Sequence, residues 1–170
     1  MNLIIREETE SDIQTIFDIT ELAFASHPFS SKTEQFIVNQ LRKHHALSIS
    51  LVAEIDGQVI GHIAFSPVLI SSSEQGWYGL GPVSVHPDFQ HRGIGSTLIS
   101  TGLNLLQSKN ALGCVVLGEP EFYSRFGFKA EPSLRLAGVP PEYFMALAFT
   151  ITSLVSGEVS YHDAFSATND

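Results

Sequence analysis

The sequence predicts one mixed α/β domain, with helices packed on a mixed sheet. Three observations predict it. Apolar residues recur at helical spacing as far as Leu41, and from Ile49 to Val85 they read as strands. Asp56-Gly57 sits between two of those apolar runs, and this dipeptide favours a tight hairpin because both central residues of a type I′ turn need positive φ. A long helical pattern then leads to Cys114-Val115-Val116-Leu117, an unbroken apolar run suited to a strand covered on both faces.

The elements follow in order. Leu3 to Glu7 is a short first strand. Ser11-Asp12-Ile13-Gln14 has the form of a capping box, and Ile13, Ile16, Phe17, Thr20 and Phe24 continue it at helical spacing. His27-Pro28 interrupts that helix, since proline cannot continue it. A second box, Ser31-Lys32-Thr33-Glu34, opens a helix carrying Ile37 and Leu41. Leu51 to Ile55 and Val59 to Ile70 are hairpin strands, Ser71 to Gly76 a polar turn, and Trp77 to Val85 the next strand. Ile94, Leu98, Ile99, Leu103 and Leu106 mark a long helix. A short helix is expected near Pro120 to Phe126, then strands near Tyr143 to Phe149 and Glu158 to Tyr161. The order is β-α-α-β-β-β-α-β-α-β-β, over a single domain of residues 1–166 with a frayed tail at 167–170.

Composition narrows the function. The 170 residues carry 18 acidic and 9 basic side chains, a formal charge of −9. That balance argues against nucleic acid, whose binding depends on Lys and Arg neutralising phosphates. It suits a cationic acceptor, or simply solubility. The single cysteine, Cys114, excludes an internal disulfide and a multi-cysteine zinc site, and none of the seven histidines stands in a metal motif, so no metal is expected. Met1 to Glu8 has no basic region ahead of a sustained apolar stretch, as a signal peptide would. The apolar stretch Tyr143 to Val155 is too short for a membrane span, which needs about 20 residues. The expectation is a soluble, cytoplasmic protein that binds neither membrane nor nucleic acid.

The chemistry lies in Val83-Ser84-Val85-His86-Pro87-Asp88-Phe89-Gln90-His91-Arg92-Gly93-Ile94-Gly95-Ser96, read as strand, loop and helix start. Two glycines where a helix begins let a ligand approach the backbone, and the first-turn N–H groups with the helix dipole suit a phosphate. Arg92 adds a cation there, or else stands solvated. A dinucleotide fingerprint needs glycine where Leu98 stands, and a P-loop needs a Gly-Lys pair, which the chain lacks. What remains, Gln90-x-x-Gly93-x-Gly95, resembles the Gln/Arg-x-x-Gly-x-Gly/Ala signature of the GNAT acetyltransferases. A second patch, Tyr123-Ser124-Arg125-Phe126-Gly127-Phe128, looks like the C-terminal motif of the same family.

The resemblance implies acetyl-CoA as cosubstrate and a primary amine as acceptor. It places the amides of His91, Arg92, Gly93, Ile94, Gly95 and Ser96 against pyrophosphate, with Gln90 in the same loop. Val83, Ser84 and Val85 would form the coenzyme-binding strand, the amides of Val83 and Val85 meeting pantetheine, with Val83 near the thioester carbonyl. Tyr123 would donate to the departing thiolate, while Phe122, Phe126 and Phe128 read as core. Glu119, just beyond the apolar strand, is the candidate general base, with Glu121, Glu54, His62 and water relays beside it. Cys114, inside a strand with no adjacent His, points to direct transfer in a ternary complex rather than an acetyl-cysteine intermediate. The acceptor rim would include His27-Pro28-Phe29 and the Val139 to Phe144 segment. A non-catalytic acyl-CoA sensor and a ligand-free interaction domain stay open as alternatives, as does a homodimer.

Overall fold

The computed structural model describes residues 2–150 and 155–169. In chain order these form β1 (Leu3–Glu7), a 3-10 turn (Glu10–Asp12), α1 (Ile13–Phe24), α2 (Glu34–Lys43), β2 (Ile49–Ile55), β3 (Gln58–Pro67), β4 (Leu69–Ile70) and β5 (Trp77–Val85). There follow a 3-10 turn (Pro87–Phe89), α3 (Ile94–Ser108), β6 (Gly113–Leu117) and α4 (Pro120–Tyr123), which runs into a 3-10 turn at Ser124–Phe126. The chain continues with β7 (Lys129–Ala130), β8 (Leu134–Arg135), a turn at Pro141–Tyr143, β9 (Phe144–Ala148), β10 (Gly157–Ser160) and a turn at Asp163–Ser166. Residues 151–154, part of the apolar stretch weighed above, lie outside the described residues. The chain divides into two compact units, Met1–Ser66 with Gly81–Gly102 and Asp163–Asp170, and Pro67–Leu80 with Leu103–His162.

In the first unit, β1 pairs antiparallel with β2, from Leu3 opposite Ile55 to Glu7 opposite Leu51. β2 pairs antiparallel with β3 across Asp56-Gly57, whose φ values of 51° and 81° meet the demand of a type I′ turn. α1 and α2 cover one face of these strands because their apolar stripes match it: Ile16 and Val38 pack on Val52, with Val59 against them. Ile37, Leu41 and Ala46 close on Ala164 of the last turn. Leu41 is fully enclosed, worth roughly 1.5–3 kcal/mol for a side chain of that size.

In the second unit, the first half of β5 pairs parallel with β6, β6 pairs antiparallel with β9, and β9 with β7. A small sheet, β4-β10-β8, stands apart from that ladder. Its apolar side meets the larger sheet through Trp77, Val115, Phe144 and Ala146 packed on Val68, Leu134 and Val159.

Several expectations need correction. The capping box stands at Thr9 and Asp12, not at Ser11, and it closes the 3-10 turn that leads into α1: the Thr9 amide donates to the Asp12 carboxylate at 2.7 Å, and Arg6 holds that carboxylate bidentately at 2.8 and 3.1 Å. A charge brought from β1 outbids the local box. The second helix begins at Glu34, and Ser30 rather than Ser31 bonds its carboxylate, at 2.7 and 2.8 Å. The long strand Val59 to Ile70 is two strands, β3 ending at Pro67, whose missing N–H cannot extend a ladder, and β4 pairing with β10. β7, β8 and β4 are two-residue strands added to the predicted order. Leu117 is 47% exposed, so β6 is covered on both faces only up to Val116.

Candidate active site

The loop between β5 and α3 belongs to the first unit, and its shape is set by a few local bonds. The His86 amide donates to the Ile60 carbonyl at 2.8 Å. N–H groups alternate sides along a strand, so those of Val83 and Val85 point away from β3. Ser84 turns inward beneath α1, its hydroxyl 3.3 Å from Thr20, while Val83 and Val85 stay half-buried. Just upstream, Gly81 has φ 132° and its peptide bond to Pro82 is cis.

Pro87 starts a 3-10 turn, the His86 ring accepts from the Asp88 amide at 3.1 Å, and the Gln90 side chain donates to the Val85 carbonyl at 3.0 Å. Gln90 thus ties the loop to the strand end. The Arg92 guanidinium lies 5.2 Å from the Phe89 ring and donates to the Asp88 carbonyl at 3.2 Å. His91 and Gly93 both take positive φ, 64° and 80°, an unusual choice for a non-glycine residue and a conformation that turns successive amides outward. Ile94 is buried and anchors the helix start, and the Thr97 amide makes the first helical bond, to Gly93 O at 3.0 Å.

Gly95 carries the most telling geometry. Its φ lies outside the left-handed range, and an added Cβ would meet only the Val85 Cγ2, at 3.9 Å. The protein itself therefore has room for a side chain there, and glycine in a helix is less stable than alanine by roughly 0.5–1 kcal/mol. The bare backbone at Gly93 and Gly95, at the end of a 15-residue helix, fits the approach of an anion such as pyrophosphate.

The second unit holds Tyr123. Its ring sits edge-on to Phe122 at 5.0 Å and to Phe128 at 6.0 Å. A Cβ on Gly118 would come within 2.4 Å of the Tyr123 Cε2, so the glycine just after β6 is what lets the ring lie across the strand end. Among the described residues the Tyr123 hydroxyl has no hydrogen-bond partner. Burial, with a smaller contribution from Cys114, pushes its pKa up to about 12. The group is protonated at neutral pH. The sequence signalled the tyrosine through its spacing to Gly127-Phe128; it held no sign of the role of Gly118, which depends on packing.

The base candidates separate by environment. Glu119 is exposed at the start of α4 and makes no side-chain cap, and Glu121 is exposed too. Glu54 is engaged by Arg6 at 3.0 Å. His62 is fully buried, with Nε2 at 2.8 Å from the Ser50 hydroxyl, which itself donates to Glu8. Burial pushes the Glu8 carboxyl up, but hydrogen bonds from Arg42, at 2.8 and 2.9 Å, and from Ser50 outweigh it and hold the carboxyl below its ordinary value. A carboxylate can only accept, so Ser50 gives its proton to Glu8 and accepts from His62, whose neutral tautomer carries its hydrogen on Nε2. Burial lowers the His62 pKa to about 4, and Nδ1 is left without a partner. His62 is part of the framework, neutral at working pH.

Cys114 is fully buried, and burial pushes its thiol well up. Among the described residues, no three His, Cys, Asp or Glu side chains converge as a metal site, and no helix is long and apolar enough to cross a membrane.

Comparison with known proteins adds three findings. The acetyltransferase (GNAT) domain family matches residues 46–130. The uncharacterized N-acetyltransferase YhbS of Escherichia coli K12 is 36% identical over 149 residues, covering 84% of this chain and 89% of its own. Two solved structures superpose closely. One is a GNAT-family acetyltransferase from Brucella melitensis in complex with acetyl-CoA, with TM-score 0.86, 49% identity, and 96% of this chain and 98% of that one covered. The other is Escherichia coli YhbS in complex with CoA, with TM-score 0.87, 32% identity, and 99% and 94% covered.

Proposed function

Because the chain belongs to the GNAT acetyltransferase family, we propose that it moves the acetyl group of acetyl-CoA to a primary amine by direct attack in a ternary complex, residues 1–166 acting as one N-acetyltransferase domain. The observation that carries this reading is the glycine loop: Gly95 is bare where the protein has room for a side chain, at the start of a long helix. The acetyl-CoA and CoA bound by the two similar solved structures support the same choice of cosubstrate.

In this reading the amides from His91 to Ser96 hold the pyrophosphate, with Gln90 keeping the loop in place. The outward amides of Val83 and Val85 hold pantetheine, and that of Val83 polarises the thioester carbonyl as the oxyanion develops. The cosubstrate supplies an activated acetyl group. Tyr123 meets the departing sulfur. A thiol titrates near 8.5, so full proton transfer from a phenol at about 12 would run uphill by about 5 kcal/mol at 1.36 kcal/mol per unit. Tyr123 therefore acts by donating a hydrogen bond to the thiolate. Glu119, or a water it holds, takes the ammonium proton. Cys114 forms no acetyl intermediate, because a thiol so strongly protonated is a poor nucleophile.

The test is calorimetric titration with acetyl-CoA, followed by thiol-release assays over a panel of amines. Saturable binding with amine-dependent release is expected. Binding without release for any amine would favour the sensor reading, and no binding would remove both.

A further inference from the structure

The second unit contains a cavity of about 650 Å³ walled by the segment from Ala130 to Phe144 and by Glu158. That volume falls within the usual range for small-molecule sites, roughly 300–1,000 Å³. Its inner wall is apolar, formed by Leu134, Leu136, Val139 and Phe144. Its remaining side chains include three carboxylates, Glu131, Glu142 and Glu158, against a single guanidinium, Arg135. Arg135 stands opposite Glu158 across the β8–β10 pair, and Glu131 and Glu142 add two further carboxylates to the lining.

The cavity also has an address. Phe144 pairs with Leu117 at the end of β6, and the next residue, Gly118, donates its amide to the Tyr143 carbonyl at 3.0 Å. The Tyr123 ring lies against that same Gly118. Leu117 and Tyr143 are 47% and 39% exposed, so the end of β6 beside the Tyr123 ring presents apolar side chains.

We propose that this cavity seats the acceptor, and that the acceptor is a diamine: an apolar spacer with a reacting nitrogen at one end and a second cation at the other, met by Glu131 and Glu142. The proposal rests on the acetyltransferase reading. The carboxylates disfavour the anionic coenzyme, so the cavity suits the other substrate. The reacting nitrogen must be neutral when it attacks, so the carboxylates are matched by a different group, the second ammonium, which stays protonated at neutral pH. An apolar wall with like-charged carboxylates favours an amine with a hydrocarbon body over an amino acid, whose carboxylate they would repel.

The experiment uses α,ω-diamines of five to ten carbons, the n-alkylamines of the same lengths and the matching ω-amino acids, each with acetyl-CoA. We expect kcat/KM for the best diamine to exceed that of the matching ω-amino acid at least tenfold at low salt, with the monoamine between. The preference should shrink in high salt, as screening requires. In Glu131→Gln/Glu142→Gln the diamine should fall to within about threefold of the monoamine, while acetyl-CoA titration and thermal melting of the same variant report on the coenzyme site and the fold. Equal turnover of the three series, a diamine preference that survives in the double variant, or acetyl-CoA binding with no probe acetylated would each overturn the assignment. Failure of the wild-type protein to bind acetyl-CoA, read before any amine is added, would instead remove the acetyltransferase reading and this proposal with it.

Discussion

Replacing Gly95 by alanine separates a glycine kept for the ligand from one kept for the fold. The added methyl would meet only Val85 Cγ2, at the ordinary contact distance of 3.9 Å, and the backbone needs no left-handed conformation there. Alanine is the better helix former, so the free protein should gain about 0.5–1 kcal/mol. For a domain of this size that is a rise of roughly 1–4 °C in Tm. The same methyl would stand where pyrophosphate oxygens approach. Losing one hydrogen bond to a charged group costs about 1.5–3 kcal/mol, or roughly 10- to 150-fold in Kd. Stability and affinity should therefore move in opposite directions. Differential scanning calorimetry and isothermal titration with acetyl-CoA measure the two. A stabilised variant that binds within twofold of the wild type would refute the phosphate-loop assignment. Gly93→Ala cannot make this distinction, because φ of 80° strains any side chain regardless of ligand.

Three further outcomes are expected. Tyr123→Phe should bind acetyl-CoA within a few-fold of normal and turn over about 10- to 150-fold more slowly, the scale of one hydrogen bond to a charged group; full turnover with chemistry rate-limiting would return Tyr123 to the core. Cys114→Ala should stay active with some loss of stability from the small cavity, and mass spectrometry of wild-type protein with acetyl-CoA alone should show no stoichiometric adduct on Cys114; an adduct that passes to amine would overturn direct transfer. His62 is neutral when folded, with pKa lowered from 6.5 to about 4, so the unfolded chain binds the extra proton and stability drops as pH falls through that window. The loss from His62 is about 2 kcal/mol by pH 5 relative to pH 7.5. Urea titrations of wild type and His62→Gln check it, and equal slopes with pH in the two proteins would contradict a buried neutral imidazole. The carboxylates of Glu8 and Asp12, both held low, add their own loss only as pH falls below about 5, so the span from pH 7.5 to 5 reports on His62.

Much of this protein is written in local pattern. The hairpin at Asp56-Gly57, the bounds of β1, β5 and the start of α3, and the Gln90-x-x-Gly93-x-Gly95 loop follow from residues that are neighbours in sequence, since turn chemistry and periodicity act over a few positions. The tyrosine patch was legible for the same reason. What local pattern cannot carry is any feature that depends on a group arriving from elsewhere. Thr9 caps the 3-10 turn before α1 with Asp12, which Arg6 of β1 holds in place, and β4 leaves the line of β3 because β10 offers it a partner. His62, one histidine among seven by sequence, becomes a neutral framework residue only because Ser50, Glu8 and Arg42 converge on it while burial removes water. Gly118 matters because a ring five residues later lies across it, and the cavity beside it exists because β8, β9 and β10 bring Glu131, Glu142 and Glu158 to one opening. The sequence alone determined the fold class and the place of the glycine loop at the start of α3, which are short-range properties of the backbone. The protonation states and the cavity of the second unit were decided by tertiary structure, because desolvation and charge act between groups far apart in the chain.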